Sequence, residues 1–223
     1  GIRIRGSDAS RVNVTVNGIP FNDSESQGTF WVNMPDFASS VDNIQIQRGV
    51  GTSTNGAGAF GGSVNIQTTS SSDEAYAELN NTFGSFNTLK NTVKLGTGLI
   101  DDKWSFDGRL SRIKSDGFVD RSAADLKSFF LSGAFHGKSD LLRINVFGGS
   151  EKTYQAWNGV PEAKLRGELA GMQAHYDNNL GYLYNTDADR DNYFGSNNRT
   201  YNQFTYKDQN DNYNQIHYQA LYA

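Results

Sequence analysis

From residue 73 onward the chain alternates apolar and polar residues with a period of two, the spacing that sends successive side chains to opposite faces of a β-strand. In the first run Ala75, Ala77, Leu79 and Phe83 oppose Glu78, Asn80 and Thr82; in the second Leu89, Val93, Leu95 and Leu99 oppose Lys90, Thr92 and Lys94. A third run sets Trp104, Phe106 and Leu110 against Ser105, Asp107, Arg109 and Ser111, and a fourth sets Phe129, Leu131 and Phe135 against Ser132 and His136. Leu142, Ile144 and Val146 oppose Arg143 and Asn145, and a last run sets Ile216, Tyr218, Ala220 and Tyr222 against Gln215, His217 and Gln219. Strands of roughly ten residues are longer than the five or six usual in soluble sheets and match the length that crosses a bilayer.

The connections alternate as well. Those at 85–87, 115–125 and about 150–212 grow along the chain, whereas those at 100–102 and 137–140 are tight. If the strands run up and down, the growing loops share one side, which is the asymmetry of outer-membrane barrels. The connection at about 150–212 is too long for a plain loop, so a function is expected of it. Residues 161–173 carry Leu165, Leu169 and Met172 at helical spacing, and the rest reads as polar surface structure. Its Tyr154, Trp157, Tyr176, Tyr182 and Tyr184 could stack on a planar ligand, and His175 beside Tyr176 could touch one.

Before residue 70 the rule is different. Residues 2–6 and 11–16 alternate as short strands, the second leading into the turn signal Asn17-Gly18-Ile19-Pro20. Residues 21–37 form a polar loop that carries Phe30 and Trp31, aromatics a mere connection does not need. Either Trp31 covers a small core or the pair meets a ligand. Two further strands, 43–48 and 63–69, enclose the glycine-rich stretch 49–62, where Gly49, Gly56, Gly58, Gly61 and Gly62 predict tight turns and close backbone contacts, as Gly6 and Gly18 do earlier.

Composition narrows the class. With 36% hydrophobic and 13% aromatic residues, 24 Gly and 3 Pro, the chain is read as all-β. A net charge of −4 without a Lys/Arg cluster argues against a nucleic-acid surface. Zero cysteines leaves the compartment open. No run of 18 apolar residues predicts a membrane helix, which says nothing of a barrel. Gly56 to Gly61 matches G-x-G-x-x-G, but an alternating strand pattern follows instead of a helix, against a dinucleotide site. His136, His175 and His217 are scattered, no Ser/His/Asp or paired-carboxylate arrangement stands out, and neither a metal, a cofactor nor an enzyme is expected.

Three segments then carry a resemblance: IRIRG at 2–6, RVNVTVNGIP at 11–20, and IQIQRGVGTSTNGAGAFGGSVNIQT at 44–68. Together they resemble the second half of the plug of TonB-dependent outer-membrane receptors, with its I-R-G step, its V-x-x-D-G-x-P turn and its R-G-P strand ending in a glycine-rich Y-G-x-G-A-x-G-G. Asn17, Gln45 and Val50 stand where the family often has Asp, Glu and Pro. The resemblance implies a C-terminal half-plug over 1–69 and, over 70–223, the first six or so strands of a transmembrane barrel of about 22 strands. It also implies a fragment, since six strands cannot close around a plug and open edges in lipid leave backbone groups unpaired.

By the same resemblance Arg5 and Arg48 correspond to plug arginines that pair with glutamates of the barrel wall, here expected in later strands. Ser7, Asp8, Ser10, Arg11, Phe30 and Trp31 fall where the plug apices face ligand. The implied function is active import across the bacterial outer membrane, driven by the TonB complex of the inner membrane. The implied cargo is a scarce small molecule that can carry iron, a siderophore chelate or haem, with cobalamin or an oligosaccharide as alternatives. A passive porin or a secreted β adhesin would share the strand pattern but not the plug.

Overall fold

The computed structural model describes residues 1–50 and 59–223. It contains two sheets: a four-stranded sheet of order β2-β1-β4-β3 and a six-stranded antiparallel sheet of order β10-β9-β8-β7-β6-β5. In the smaller one, β1 (Val12–Val16) lies parallel to β4 (Gly62–Thr68), which pairs antiparallel with β3 (Val41–Arg48). The hairpin from β1 to β2 (Ile19–Pro20) turns on Asn17 and Gly18, both at positive φ, the geometry that matches the twist of the two strands.

Residues 2–6 are not a strand. Arg5 and Gly6 take left-handed backbone angles, and the segment is held by Ile4, whose side chain lies on the backbone of Gly62. A Cβ at Gly62 would come within 2.6 Å of both Ile4 Cδ1 and the Gln47 carbonyl, and one at Gly61 would strike Ser7, so close approach fixes both glycines. Gly6 and Gly49 sit at positive φ. Gly56 and Gly58 lie outside the described residues.

The six long strands are β5 (Ala75–Gly84), β6 (Thr88–Thr97), β7 (Trp104–Ser115), β8 (Ala124–His136), β9 (Leu141–Tyr154) and β10 (Asn210–Tyr222), each paired with the next. The tight turns at 98–103 and 137–140 share one end, and the connections 85–87, 116–123 and 155–209 share the other. Strands β9 and β10 run further than their pattern suggests, so the long connection begins after Tyr154 and ends before Asn210. The single helix expected over 161–173 is two, α1 (Glu162–Arg166) and α2 (Leu169–Asn178), broken where Gly167 takes positive φ. A third, α3 (Asp187–Gly195), follows a capping box of Thr186 and Asp189.

The large sheet is inverted relative to a soluble one. Its apolar face, with Leu79, Phe83, Leu110, Leu131 and Ile144, is exposed, whereas Thr92, Ser105, Asp107, Arg109, Ser132 and Asn145 on the other face are buried. Water would not favour that arrangement, and a bilayer does, provided something polar covers the inner face. The four-stranded sheet is that cover. Val12, Val14, Val16, Met34, Phe37, Val64 and Ile66 form one core with Phe130 and Phe147 of β8 and β9.

On β7–β10 the outward positions run uncharged from the Trp104 level to the Leu110 level. Leu131 lies in the middle of that belt, so Leu131→Arg should destabilise the folded protein in lipid by roughly 2–4 kcal/mol, whereas the same change near the belt's rim should cost about 1 kcal/mol or less. Equilibrium folding into lipid vesicles measures the difference.

Candidate functional site

The plug meets the wall at one buried charge cluster. Pro35 and Asp36 lead into a 3-10 turn, Phe37–Ser40, with Asp36 at φ +51°, a left-handed angle that Asp tolerates better than most side chains. The carboxylate reaches β6 and β7 while also accepting from Ser39 of its own turn. Oδ1 accepts from Lys90 Nζ at 2.5 Å and from Ser39 Oγ at 2.7 Å. Oδ2 accepts from Arg109 Nη1 at 3.3 Å, from Thr92 Oγ1 at 3.4 Å and from Ser111 Oγ. Arg109 in turn donates from Nε to Ser40 Oγ at 2.6 Å and from Nη1 to Ser128 Oγ at 2.9 Å.

Asp36 and Arg109 expose only 6% and 4% of their side chains, so the pair is largely desolvated. Burial by itself raises the Asp36 carboxyl, and the hydrogen bonds from Lys90, Ser111 and Ser39 outweigh it, holding the group below its ordinary range. One carboxylate thus ties two strands of the wall, β6 and β7, to one turn of the plug.

Further ties stand nearer the tight-turn end. Asn17 Nδ2 donates to Gln219 Oε1 at 2.9 Å, Gln219 Nε2 donates to the Val16 carbonyl at 3.3 Å, and Arg143 Nη2 donates to the Thr69 carbonyl. Phe37 lies 5.4 Å from Phe147, and Phe21 4.9 Å from His217, between ring centroids.

At the opposite end the long connection builds its own small core from Met172, Tyr184, Tyr193 and Tyr201. Lys164 is fully buried there and donates to the carbonyls of Tyr193 at 2.5 Å and Ser196 at 3.0 Å, with its ammonium over the Tyr193 and Tyr201 rings. Burial pushes the Lys164 ammonium down and the Tyr193 and Tyr201 hydroxyls up to about 12. Arg121, in the 116–123 connection, donates to the carbonyls of Phe204 and Asn202, each at 2.9 Å, which pins the two loops together.

The residues singled out by sequence fall in four places. Arg5 and Arg48 are exposed and make no ion pair among the described residues. Ser7, Asp8, Ser10 and Arg11 form a capped turn: Asp8 accepts from Ser10 N and Oγ, and Arg11 lies over the Phe60 ring at 5.7 Å. Trp31 packs on the plug core, while Phe30 is exposed and lines a hollow of about 270 Å³ with Asn22, Asp23, Tyr213 and Gln215. In the long connection Trp157 is exposed and meets Phe204 edge-on, while Tyr154, the last residue of β9, donates from its hydroxyl to the Phe204 carbonyl at 3.3 Å and to the Tyr206 carbonyl. His175 and Tyr176 pack against Tyr184 within the loop core. Asp36 was not anticipated. The available signal was the pair Lys90 and Arg109 on polar strand faces, since cations enclosed by a barrel require an anion.

A polar-lined sheet with an apolar exterior and a rooted inner domain defines a plugged membrane barrel. Residues 1–63 match the TonB-dependent Receptor Plug Domain family. No curated protein matches the chain. Among solved structures it is similar to the ferripyoverdine receptor of Pseudomonas aeruginosa bound to ferripyoverdine, with 13% identity and a TM-score of 0.58 over 68% of this chain and 20% of that one. It is also similar to the siderophore receptor PiuA of Acinetobacter baumannii, at 17% identity and a TM-score of 0.59 over 72% of this chain and 22% of that one. The closed form of the ferric-catecholate import receptor Fiu of E. coli gives 20% identity and 0.59 over 74% and 22%. At such identities the likeness speaks for the fold, and the chain spans about a fifth of each receptor's length.

Asp36→Ala should leave Arg109 buried without its carboxylate and destabilise the plug–wall contact by about 3–5 kcal/mol. Because the Asp36 carboxyl titrates below its ordinary value in the folded state, its contribution is full above that value and is lost as pH falls below about 4. Hydrogen exchange of the 37–40 amides in the full-length receptor measures the first effect, and bilayer conductance between pH 6 and pH 3, as approximate limits set by the carboxylate range, the second.

Proposed function

We propose that this chain is the plug-bearing part of a receptor that imports an iron chelate, a siderophore complex or haem, across the outer membrane at the expense of the inner-membrane TonB complex. The observation that carries the reading is the plug rooted in the wall through Asp36. A pore stoppered by a domain with a desolvated ion pair does not pass solutes by diffusion, so transport requires work on the plug. The exposed aromatics of the long connection, Trp157, Tyr182 and Tyr206, stand at the end where ligand would arrive and offer π-faces to a catecholate, a porphyrin or a sugar ring alike. The receptors of similar fold, described as binding ferripyoverdine or importing ferric catecholates, favour iron among these.

In this reading Arg5 and Arg48 meet barrel strands outside the six described, on the face of the plug where Ile44 and Ile46 of β3 are also exposed. Phe30 and the Ser7 to Arg11 turn contact ligand.

Uptake by cells carrying the full-length receptor, with the TonB complex intact or deleted, tests this. A panel of ferric siderophores, haem, cobalamin and glycans should show accumulation of one iron chelate that vanishes on deletion. Uptake indifferent to the deletion would leave a passive pore, and energised uptake of glycans or cobalamin alone would remove iron while sparing the mechanism.

A further inference from the structure

One carboxylate of the inner wall has no counter-charge. Glu151 lies on β9 two positions beyond Gly149, where a Cβ would strike Pro35 of the plug at 2.7 Å, so both positions face inward. Glu151 therefore stands one cross-strand row nearer the long connection than the Asp36 root. Its side chain is buried, with 4% exposed, and it makes no hydrogen bond or ion pair among the described residues. Neither of its oxygens is among the polar atoms sealed from solvent.

The rest of the row offers no partner. It runs Lys90, Ile113, Leu126, Glu151, Tyr213, with Leu126 and Tyr213 directly opposite the carboxylate. Lys90 is three strands away, and its ammonium is already held by Asp36 and Ser39. The alternation of β8 and β9 sends Lys127 and Lys152 to the outer face. The charged neighbour that Glu151 does have, Asp211 of β10, is also negative, and its Oδ1 accepts from Gln155 Nε2 at 3.2 Å.

Beside this row opens the hollow of about 270 Å³ between plug and wall. Tyr213 belongs to both, since it lines the hollow and pairs with Glu151 in register. Phe30 gives the hollow a second exposed aromatic face, Asp23 gives it another carboxylate, and no lysine or arginine lines it among the described residues. A carboxylate taken out of water without donors is costly, and a cation that reaches it removes the cost.

We infer that Glu151 is the anchor of a subsite for a primary ammonium group carried on an apolar arm of the cargo, the arm lying along Tyr213 and Phe30 and the ammonium set between Glu151 and Asp211. An anionic chelate would meet three carboxylates with no cation to offset them. A neutral one would gain the aromatic contact and leave Glu151 unpaired. An ammonium on an apolar arm satisfies both, through a charge-assisted contact at one end and apolar burial along the other. The inference rests on the import reading and narrows it to an iron chelate with a cationic arm.

The test uses the full-length receptor in detergent and two probes with the same iron centre: a ferric trihydroxamate ending in a primary ammonium, and that chelate with its amine acetylated. The ammonium form should bind roughly ten- to a hundredfold more tightly, the range for a hydrogen bond to a charged group. Glu151→Gln should remove the difference. Equal binding of the two chelates, or a folded Glu151→Gln receptor that keeps the preference, would overturn the subsite and leave import of iron standing. Binding of neither chelate would also overturn it, and the uptake panel then decides import on its own. If Glu151→Gln does not fold, the comparison of the two chelates on wild-type receptor decides.

Discussion

A guanidinium exposed to 4% of its surface persists only where a carboxylate and further acceptors face it, and Arg109 finds them on another domain. That requirement couples the plug to the wall. Neither partner is satisfied alone: without the plug, Arg109 and Lys90 face an uncompensated interior; without the wall, Asp36 sits at a left-handed backbone angle with nothing to hold it there. The hydroxyls of Ser39, Ser40, Thr92, Ser111 and Ser128 complete the cluster, so it is polar on every side. Such a contact contributes registration as much as stability. It has one geometry in which all the donors are met, and a plug displaced by a few ångströms loses most of them together.

The inverted sheet makes this necessary. A strand with an apolar face toward lipid has its polar face inward, and on β7 every inward position from Ser105 to Ser111 is buried. The plug answers it with two kinds of contact. Apolar packing of Phe37 against Phe147, and of Val12, Val14 and Val16 within the shared core, supplies area without direction. The polar ties at Asp36, Asn17 and Thr69 supply direction. They engage β6, β7, β9 and β10, so the plug is fixed at both ends of the sheet.

The long strands were legible in the sequence because a period of two over roughly ten residues has few other readings. The hairpin at Asn17-Gly18 was legible because both positions need positive φ. Residues 2–6 were misread as a strand: alternation was present, but Arg5 and Gly6 turn the chain, and Ile4 anchors it by packing on Gly62. The long connection was read as polar surface because its core is tyrosine rather than aliphatic, and a buried Lys164 does not register as a core residue in any apolar pattern. Asp36 was hidden for a related reason. In the string Met34-Pro35-Asp36-Phe37 it reads as a turn residue, and its role depends on strands 54 to 75 residues further along the chain.

A double-mutant cycle between Asp36→Asn and Arg109→Gln in the full-length receptor, read from hydrogen exchange of the 37–40 amides, measures that coupling without assuming anything about cargo. A coupling energy of about 1–3 kcal/mol is predicted, the range for residues in one buried network. Additive effects, with coupling below about 0.5 kcal/mol, would contradict the view that this pair roots the plug.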